Sequence, residues 1–511
     1  MGKKVLKVIG ILLLIFILGM GIFTLAPKLF GPIHQGGEEN LSQYGVHNYK
    51  IEGRFLEEKK VLEVEQKIDY KNLHKKAFDK VYFHLYPNAF KEEEGSPFFK
   101  DELKRAYPMG FEPGYIDIEE VQVEDKKASY EIGGEDNTIL AINLAKEIKP
   151  DEIISIVIKY TLKLPPANSR FGYGENTYNF GNWYPIAAIY DYKGWNIEPY
   201  YKVGDPFYSE ISNYQVTLKL PKEFTLATTG NIKSKKSSKE KNIDYRENIW
   251  QIEAQAVRDF AWLISKDFKL KKGKADNTDI RVYYFKGQEA DEAVEVAQDA
   301  IKIFNNLFYP YPYQQLSVAS CDFYIGGMEY PNLVYIDYNQ FSNSNTLILE
   351  YIIAHETAHQ WWYGIIGNDQ VNSPWIDEAL TEYSTILYYR EKYGEETMMH
   401  MLKTMVIDDY VRGKKLLNIE DERIGKSVDE FKNNMEYSSI VYSKGAMMFY
   451  ELEREIGREN FQKVLKYYVE NNKFKNVGEE EIQDIVKAVT GKDYEEFFNK
   501  WLEGDVSLDA S

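Results

Sequence analysis

Residues 355–359 read His-Glu-Thr-Ala-His in a chain that has only seven His among 511 residues. On an α-helix His355 and His359 stand one turn apart on the same face, so two imidazoles can converge on one tetrahedral Zn²⁺. A chance H-E-x-x-H is expected on the order of once in a hundred chains this poor in His. The blander alternative is a pair of core His bonded to carbonyls. A catalytic zinc site needs a third protein ligand and an open position for water. Glu378 follows His359 after 18 intervening residues. Glu382, four residues further along the same helix face, is placed to orient a ligand His from behind. Taken alone, Glu378 reads as a solvated helix charge; its spacing is what singles it out.

Two helices must position these groups. Leu347–Trp362 is apolar enough for a buried helix, with Ser344 or Asn345 available to cap its start. In Pro374–Tyr393, Ser373 is placed as N-cap, Pro374 at the first helical position and Gly394 after the last turn. Helical periods also run through Ala290–Phe308, Ser443–Ile456 and Phe461–Asn471. Residues 269–511 are therefore expected to form a mostly helical domain. Residues 46–268 read differently. Ile158, Tyr160, Leu162 and Leu164, and likewise Tyr214, Val216, Leu218 and Leu220, alternate with polar residues, which predicts a large antiparallel β domain. The Lys-rich run 233–239 reads as a solvated hairpin tip. Gly425-Lys426-Ser427 lacks the first Gly of a phosphate loop, that position being Glu420, and no G-x-S-x-G elbow occurs. No internal repeat of fixed period is visible.

Composition narrows the chemistry further. There are 62 basic and 80 acidic residues, a net charge of −18, which argues against a nucleic-acid partner. A single Cys, Cys321, excludes a thiolate cluster and an intramolecular disulfide, so any metal must be held by His, Asp or Glu. At the N-terminus, Lys3, Lys4 and Lys7 precede 19 uncharged residues, Val8–Ala26. As a helix that segment spans roughly 28 Å, close to a bilayer's hydrocarbon thickness. We expect residues 1–7 in the cytoplasm, 8–26 as a single-pass anchor, 27–45 as a linker and the rest outside the membrane. A cleaved secretory signal ending near Gly19-Met20-Gly21 is the alternative.

The motif HETAH, 18 residues and Glu378 within PWIDEALTEY resemble the zinc aminopeptidase family of aminopeptidase N and leukotriene hydrolase, HExxH-x18-E gluzincins. Gly326-Gly327-Met328-Glu329-Tyr330 resembles that family's G-x-M-E-N motif, and Val441-Tyr442-Ser443-Lys444-Gly445-Ala446 its V-Y-x-K-G-A segment. FGNWYPI at 180–186 is similar to its N-terminal domain. The resemblance implies a multi-domain α+β chain, with a saddle-like antiparallel β domain followed by a thermolysin-like catalytic domain. It implies one Zn²⁺ held by His355, His359 and Glu378, Glu356 as general base and Tyr442 as oxyanion stabiliser. Glu329 would pair with a peptide's free α-ammonium, while Gly326, Gly327 and Met328 line the substrate. Two departures stand out: Tyr330 replaces the family's Asn, and the T-Q-x-E amine-site motif is not visible, Glu175 being the nearest acid. The sequence runs only ten residues past Trp501, so the family's C-terminal helical superhelix is not expected and the substrate entrance should be more open. The expected function is N-terminal peptide hydrolysis at the membrane. A zinc endopeptidase with the same site, or an inert membrane-tethered binding protein, are the alternatives; oligomeric state is not specified.

Overall fold

A computed structural model describes residues 40–237, 247–342 and 346–506. The expected anchor, most of the linker and the capping candidates Ser344 and Asn345 lie outside the described residues. Among the described residues no helix is long and apolar enough to cross a membrane. The end of the expected linker is not a free tether: Leu41–Tyr44 forms a short 3₁₀ turn, and the Tyr44 ring stacks on Phe474 at 4.4 Å.

The N-terminal β-rich domain is built on an eight-stranded sheet. Its strands lie in the order Asn231–Ser237, Glu247–Val257, Ser212–Pro221, His47–Leu56, Val61–Lys71, Ile153–Lys163, Tyr115–Val123 and Lys126–Lys127. The two-residue alternation read from sequence sets its inner face. Ile158, Tyr160 and Leu162 are buried, as are Tyr214, Val216, Leu218 and Leu220, while Gln215 and Lys219 between them face solvent. One pairing departs from the antiparallel expectation: His47–Leu56 runs parallel to Ser212–Pro221, with Ile51 opposite Val216. Two four-stranded sheets and a two-stranded ribbon, Tyr190–Asp191 with Gly194–Trp195, complete the domain among the described residues. Of the Lys-rich run, Lys233 to Ser237 lie on the outer strand, where exposed lysines discourage edge-to-edge pairing.

The C-terminal domain is helical but opens on a five-stranded mixed sheet. Its strands are β1 (Lys269–Ala275), β2 (Thr278–Tyr284), β3 (Gln315–Cys321), β4 (Gly327–Met328) and β5 (Leu333–Asp337), in the order β1-β2-β3-β5-β4. Helix α1 (Ala290–Leu307) connects β2 to the parallel strand β3. β4 is the edge strand, antiparallel to β5 with Gly327 opposite Ile336.

Helix α2 (Thr346–Ala358) packs against β4, β5 and the following helix α3 (Trp375–Tyr393). It is buried on nearly all sides, as its unbroken apolar run predicts. Helix α4 (Gly445–Ile456) and the π-helical turn Ser438–Lys444 before it close over α3.

The ends of α2 and α3 differ from expectation for reasons visible in their hydrogen bonds. α2 stops four residues before Trp362: Gly364 N–H donates to His359 O at 2.9 Å, and Tyr363 takes φ +105°. Ser373 does not cap α3. Its hydroxyl donates to Glu479 Oε1 at 3.1 Å, and Pro374 occupies the cap position. Gly394, with φ +91°, ends the helix as expected.

Candidate functional site

His355 and His359 retain the helical spacing even though α2 ends between them, since His359 N–H still donates to His355 O at 3.3 Å. Their Nε2 atoms lie 3.2 Å apart, and Glu378 Oε2, from the first turns of α3, is 3.1 Å from His359 Nε2 and 3.6 Å from His355 Nε2. All three side chains are buried.

The outer nitrogens are each engaged. His359 Nδ1 donates to Trp362 O at 3.0 Å, with Thr381 Oγ1 at 3.1 Å. His355 Nδ1 donates to Glu382 Oε2 at 3.0 Å, and Tyr351, one turn back on α2, donates its hydroxyl to Glu382 Oε1. The early end of α2 is thus what frees the Trp362 carbonyl to hold His359. With both Nδ1 atoms committed as donors, the Nε2 lone pairs point inward beside a carboxylate. Two imidazoles and one carboxylate, with ligand atoms all within 4.8 Å of one another, are the donor set that suits a single Zn²⁺.

The neighbouring charges fit that reading. Burial acts to raise the Glu378 carboxyl, but His359 and His355 outweigh it and hold Glu378 well below the usual carboxylate range. Burial lowers the His355 imidazole, yet its bonds to Glu378 and Glu382 carry it to about 9.

Glu356 points to the opposite flank, toward the edge strand. An added Cβ on Gly327 would lie 2.2 Å from Glu356 Oε1, so the absence of a side chain there makes room for the carboxylate. Glu356 Oε2 has no hydrogen-bond partner among the described residues, and burial, partly offset by the two His, pushes the carboxyl up to about 7. Tyr442 is partly buried on the π turn, its ring stacked on His355 at 5.7 Å, and burial together with the nearby Glu378 carboxylate pushes its hydroxyl well above the usual tyrosine range. The π turn was not legible in the helical period, which places residues 443–456 in one regular helix. Such turns recur at functional sites because they re-aim one side chain.

Glu329, directly after β4, is 3% exposed, and its Oε1 also lacks a partner among the described residues. Gly326, at φ +94°, accepts the Asp337 N–H at 2.7 Å and so fixes the turn into β4. Met328 is buried, with Arg170 Nε 3.1 Å from its sulfur.

Tyr330 explains its own departure from the family pattern. Its hydroxyl donates to Asn182 Oδ1 at 2.8 Å, and a Cβ on Gly181 would fall 1.9 Å from the Tyr330 hydroxyl oxygen. The larger side chain thus reaches into the FGNWYPI segment and ties the two domains together. Glu175 is exposed and takes no part.

Sequence reasoning missed Asp205. It comes from an irregular segment of the β domain, and one of its carboxylate oxygens lies within 4.8 Å of oxygens of both Glu329 and Glu378. Nothing in local pattern distinguishes it from the other acids of the chain.

Comparison with known proteins agrees with this geometry. Residues 292–501 match the Peptidase family M1 domain. Aminopeptidase N of Lactobacillus helveticus is 25% identical over 269 residues, 49% of this chain and 31% of that protein. Aminopeptidase M1 of Arabidopsis thaliana is 25% identical over 248 residues, 45% of this chain and 27% of that protein. The match thus spans less than a third of these relatives' length. The M1 zinc metallopeptidase of Deinococcus radiodurans shares the fold with a TM-score of 0.65 at 15% identity, over 91% of this chain and 95% of that one. Residues 292–501 thus match the peptidase family M1 domain and are similar to aminopeptidase N.

Proposed function

We propose that the protein is a zinc-dependent aminopeptidase that hydrolyses the first peptide bond of substrates with a free N-terminus. The observation that carries this reading is the placement of two buried, unpartnered carboxylate oxygens, Glu356 Oε2 and Glu329 Oε1, around the His355, His359 and Glu378 cluster. One serves the reaction and the other the substrate's amine. His355, His359 and Glu378 would hold the Zn²⁺, which when bound would supply Lewis acidity toward a carbonyl and toward water.

Glu356 takes the attacking water's proton at its free oxygen and returns it to the leaving amine. The Tyr442 hydroxyl, poised beside Glu378, donates to the oxyanion that develops on the scissile carbonyl. Glu329 accepts hydrogen bonds from the substrate α-ammonium. The Gly327 backbone, on an edge strand with no side chain in the way, pairs with the extended peptide.

The test is cleavage of matched peptides with free and acetylated N-termini by the zinc-loaded protein, with and without chelator. Chelator-sensitive release of the first residue from the free peptide alone is expected. Equal cleavage of both at internal bonds would replace this reading with an endopeptidase. A metal-free protein that binds peptides without hydrolysis would make it an inert binding module.

We also propose attachment to the membrane through residues 8–26 with the catalytic domain outside the cytoplasm. The uncharged stretch following three lysines supports this. Recovery of the full-length chain in the soluble fraction without detergent would reject it.

A further inference from the structure

Tyr363 is a bulky residue at φ +105°, a backbone conformation that L side chains rarely adopt. It directly follows Trp362, whose carbonyl oxygen accepts from His359 Nδ1. Strain of this kind persists only where the surroundings over-determine it. Both peptide planes that meet at Tyr363 are pinned. On one side the Tyr363 N–H donates to Ile366 O at 2.7 Å. On the other, Gly364 N–H donates to His359 O at 2.9 Å, and Tyr363 O accepts from Arg258 Nε at 2.7 Å.

Arg258 belongs to the other domain. It directly follows the strand Glu247–Val257 and is buried. Besides Tyr363 O, it donates from Nη1 to Ser209 O at 3.1 Å and to Asn476 Oδ1, and from Nη2 to Lys475 O at 2.6 Å. None of these four acceptors is a carboxylate. Burying a guanidinium is costly, and here its rigid fork of donors fixes three chain segments at once. One is Ser209 of the β domain and the second is the turn after α2. The third is Lys475–Val477, which runs parallel to Ile366–Asn368. Gly367 leaves the space for it: an added Cβ would lie 2.1 Å from Arg258 Cζ and 2.3 Å from Nε.

The φ angle of Tyr363 sets the relation between its two peptide planes. With Tyr363 O held, relaxation toward a negative φ turns the Trp362–Tyr363 peptide and swings Trp362 O away from His359 Nδ1. The imidazole then keeps only the Thr381 hydroxyl, 3.1 Å away, and loses the carbonyl that aims its Nε2 at Glu378 and His355. We propose that Arg258 is a positioning residue for the metal centre: by clamping Tyr363 O across the domain junction, it holds the strained turn that directs the Trp362 carbonyl at His359. This rests on the zinc reading above and extends it, since zinc affinity then depends on the docked β domain.

The test uses the full-length chain. Competition for Zn²⁺ against a chromogenic chelator and the visible spectrum of the Co²⁺-substituted protein are the readouts, with thermal melts of the metal-free protein as a check on folding. In Arg258→Met zinc affinity should fall about tenfold, the lower end of the range for a partner bonded directly to a ligand. The Co²⁺ bands should shift, because His359 is no longer held in one orientation. Gly367→Ala displaces the guanidinium without removing it; it should show a similar loss and add little to it in the double variant, since both act through one clamp. Tyr313→Phe removes a different bond between the domains, from the Tyr313 hydroxyl to Ala256 O, and should lower the melting temperature while zinc affinity and the Co²⁺ bands stay as in the wild type. Wild-type zinc affinity and an unaltered spectrum in folded Arg258→Met would overturn the proposal. If that variant does not fold, the same result in Gly367→Ala overturns it. An equal loss of zinc affinity in Tyr313→Phe would also overturn it, in favour of a general loosening of the domain junction. If the wild type takes up neither metal, the zinc reading itself fails and the proposal falls with it, whatever the variants do.

Discussion

Glu382 makes no proposed contact with zinc, yet the structure predicts that zinc affinity depends on it. Glu382→Ala removes the acceptor 3.0 Å from His355 Nδ1 and leaves a buried N–H facing Thr385 Oγ1 at 3.5 Å, too long to replace it well. The imidazole loses both its fixed orientation and the carboxylate that makes Nε2 a better donor. Loss of such a supporting partner weakens metal binding by about 10–100-fold, or about 1.4–2.7 kcal/mol. Glu382→Gln keeps one carbonyl oxygen and should sit near the lower bound. Tyr351→Phe, which removes only the hydroxyl bonded to the far oxygen of Glu382, should fall below it. Equilibrium competition for zinc against a chromogenic chelator reads all three, with thermal melts of the zinc-loaded proteins as a check on folding. Wild-type zinc affinity in a folded Glu382→Ala protein would refute the argument and leave His355 oriented by packing alone.

Further consequences follow from the same geometry. Gly327→Ala places a Cβ where Glu356 Oε1 now lies, so kcat should fall by at least about tenfold while bound zinc stays constant; unchanged kcat would mean that Glu356 is not confined by the edge strand. Tyr442→Phe keeps the ring stacked on His355 but removes the oxyanion donor, and should lower kcat about 10²–10³-fold without loss of zinc. Asp259, buried in the β domain, has its carboxyl raised by burial from 3.8 to about 7. Below pH 3.8 it costs nothing; as pH rises to 7 the unfolded chain ionises first, and folding loses up to about 4 kcal/mol. Asp259→Asn should therefore flatten the fall in unfolding free energy between about pH 4 and 7, and an unchanged slope would show that the donors Asn182, Tyr184 and Phe260 hold the group ionised.

How much of this was legible in sequence depends on how far each feature reaches along the chain. His355 and His359 are readable because one helical turn fixes their relation, and Glu378 with Glu382 for the same reason. The inner face of the eight-stranded sheet is readable because Tyr160 and Val216 alternate with polar neighbours. The sheet that opens the helical domain is not, because β3 is buried along its whole length and shows no alternation. Ser373 failed as a cap because Glu479, 106 residues away, competes for its hydroxyl. Asp205 was invisible for a similar reason: its relation to Glu329 exists only after the β domain docks. Tyr442 stood out by family resemblance, while the π turn that aims it leaves no mark in the apolar period.

The claim on which the rest depends is that one zinc, held by His355, His359 and Glu378, works with Glu356 as the proton carrier. Glu356→Gln, purified as the full chain, tests it by zinc content and turnover of a free N-terminal peptide measured on the same sample. The account predicts one zinc per chain and turnover reduced at least about 10²–10⁴-fold. Turnover near wild type with zinc in place, or a wild-type protein that hydrolyses the peptide equally well after its zinc is stripped, would contradict it.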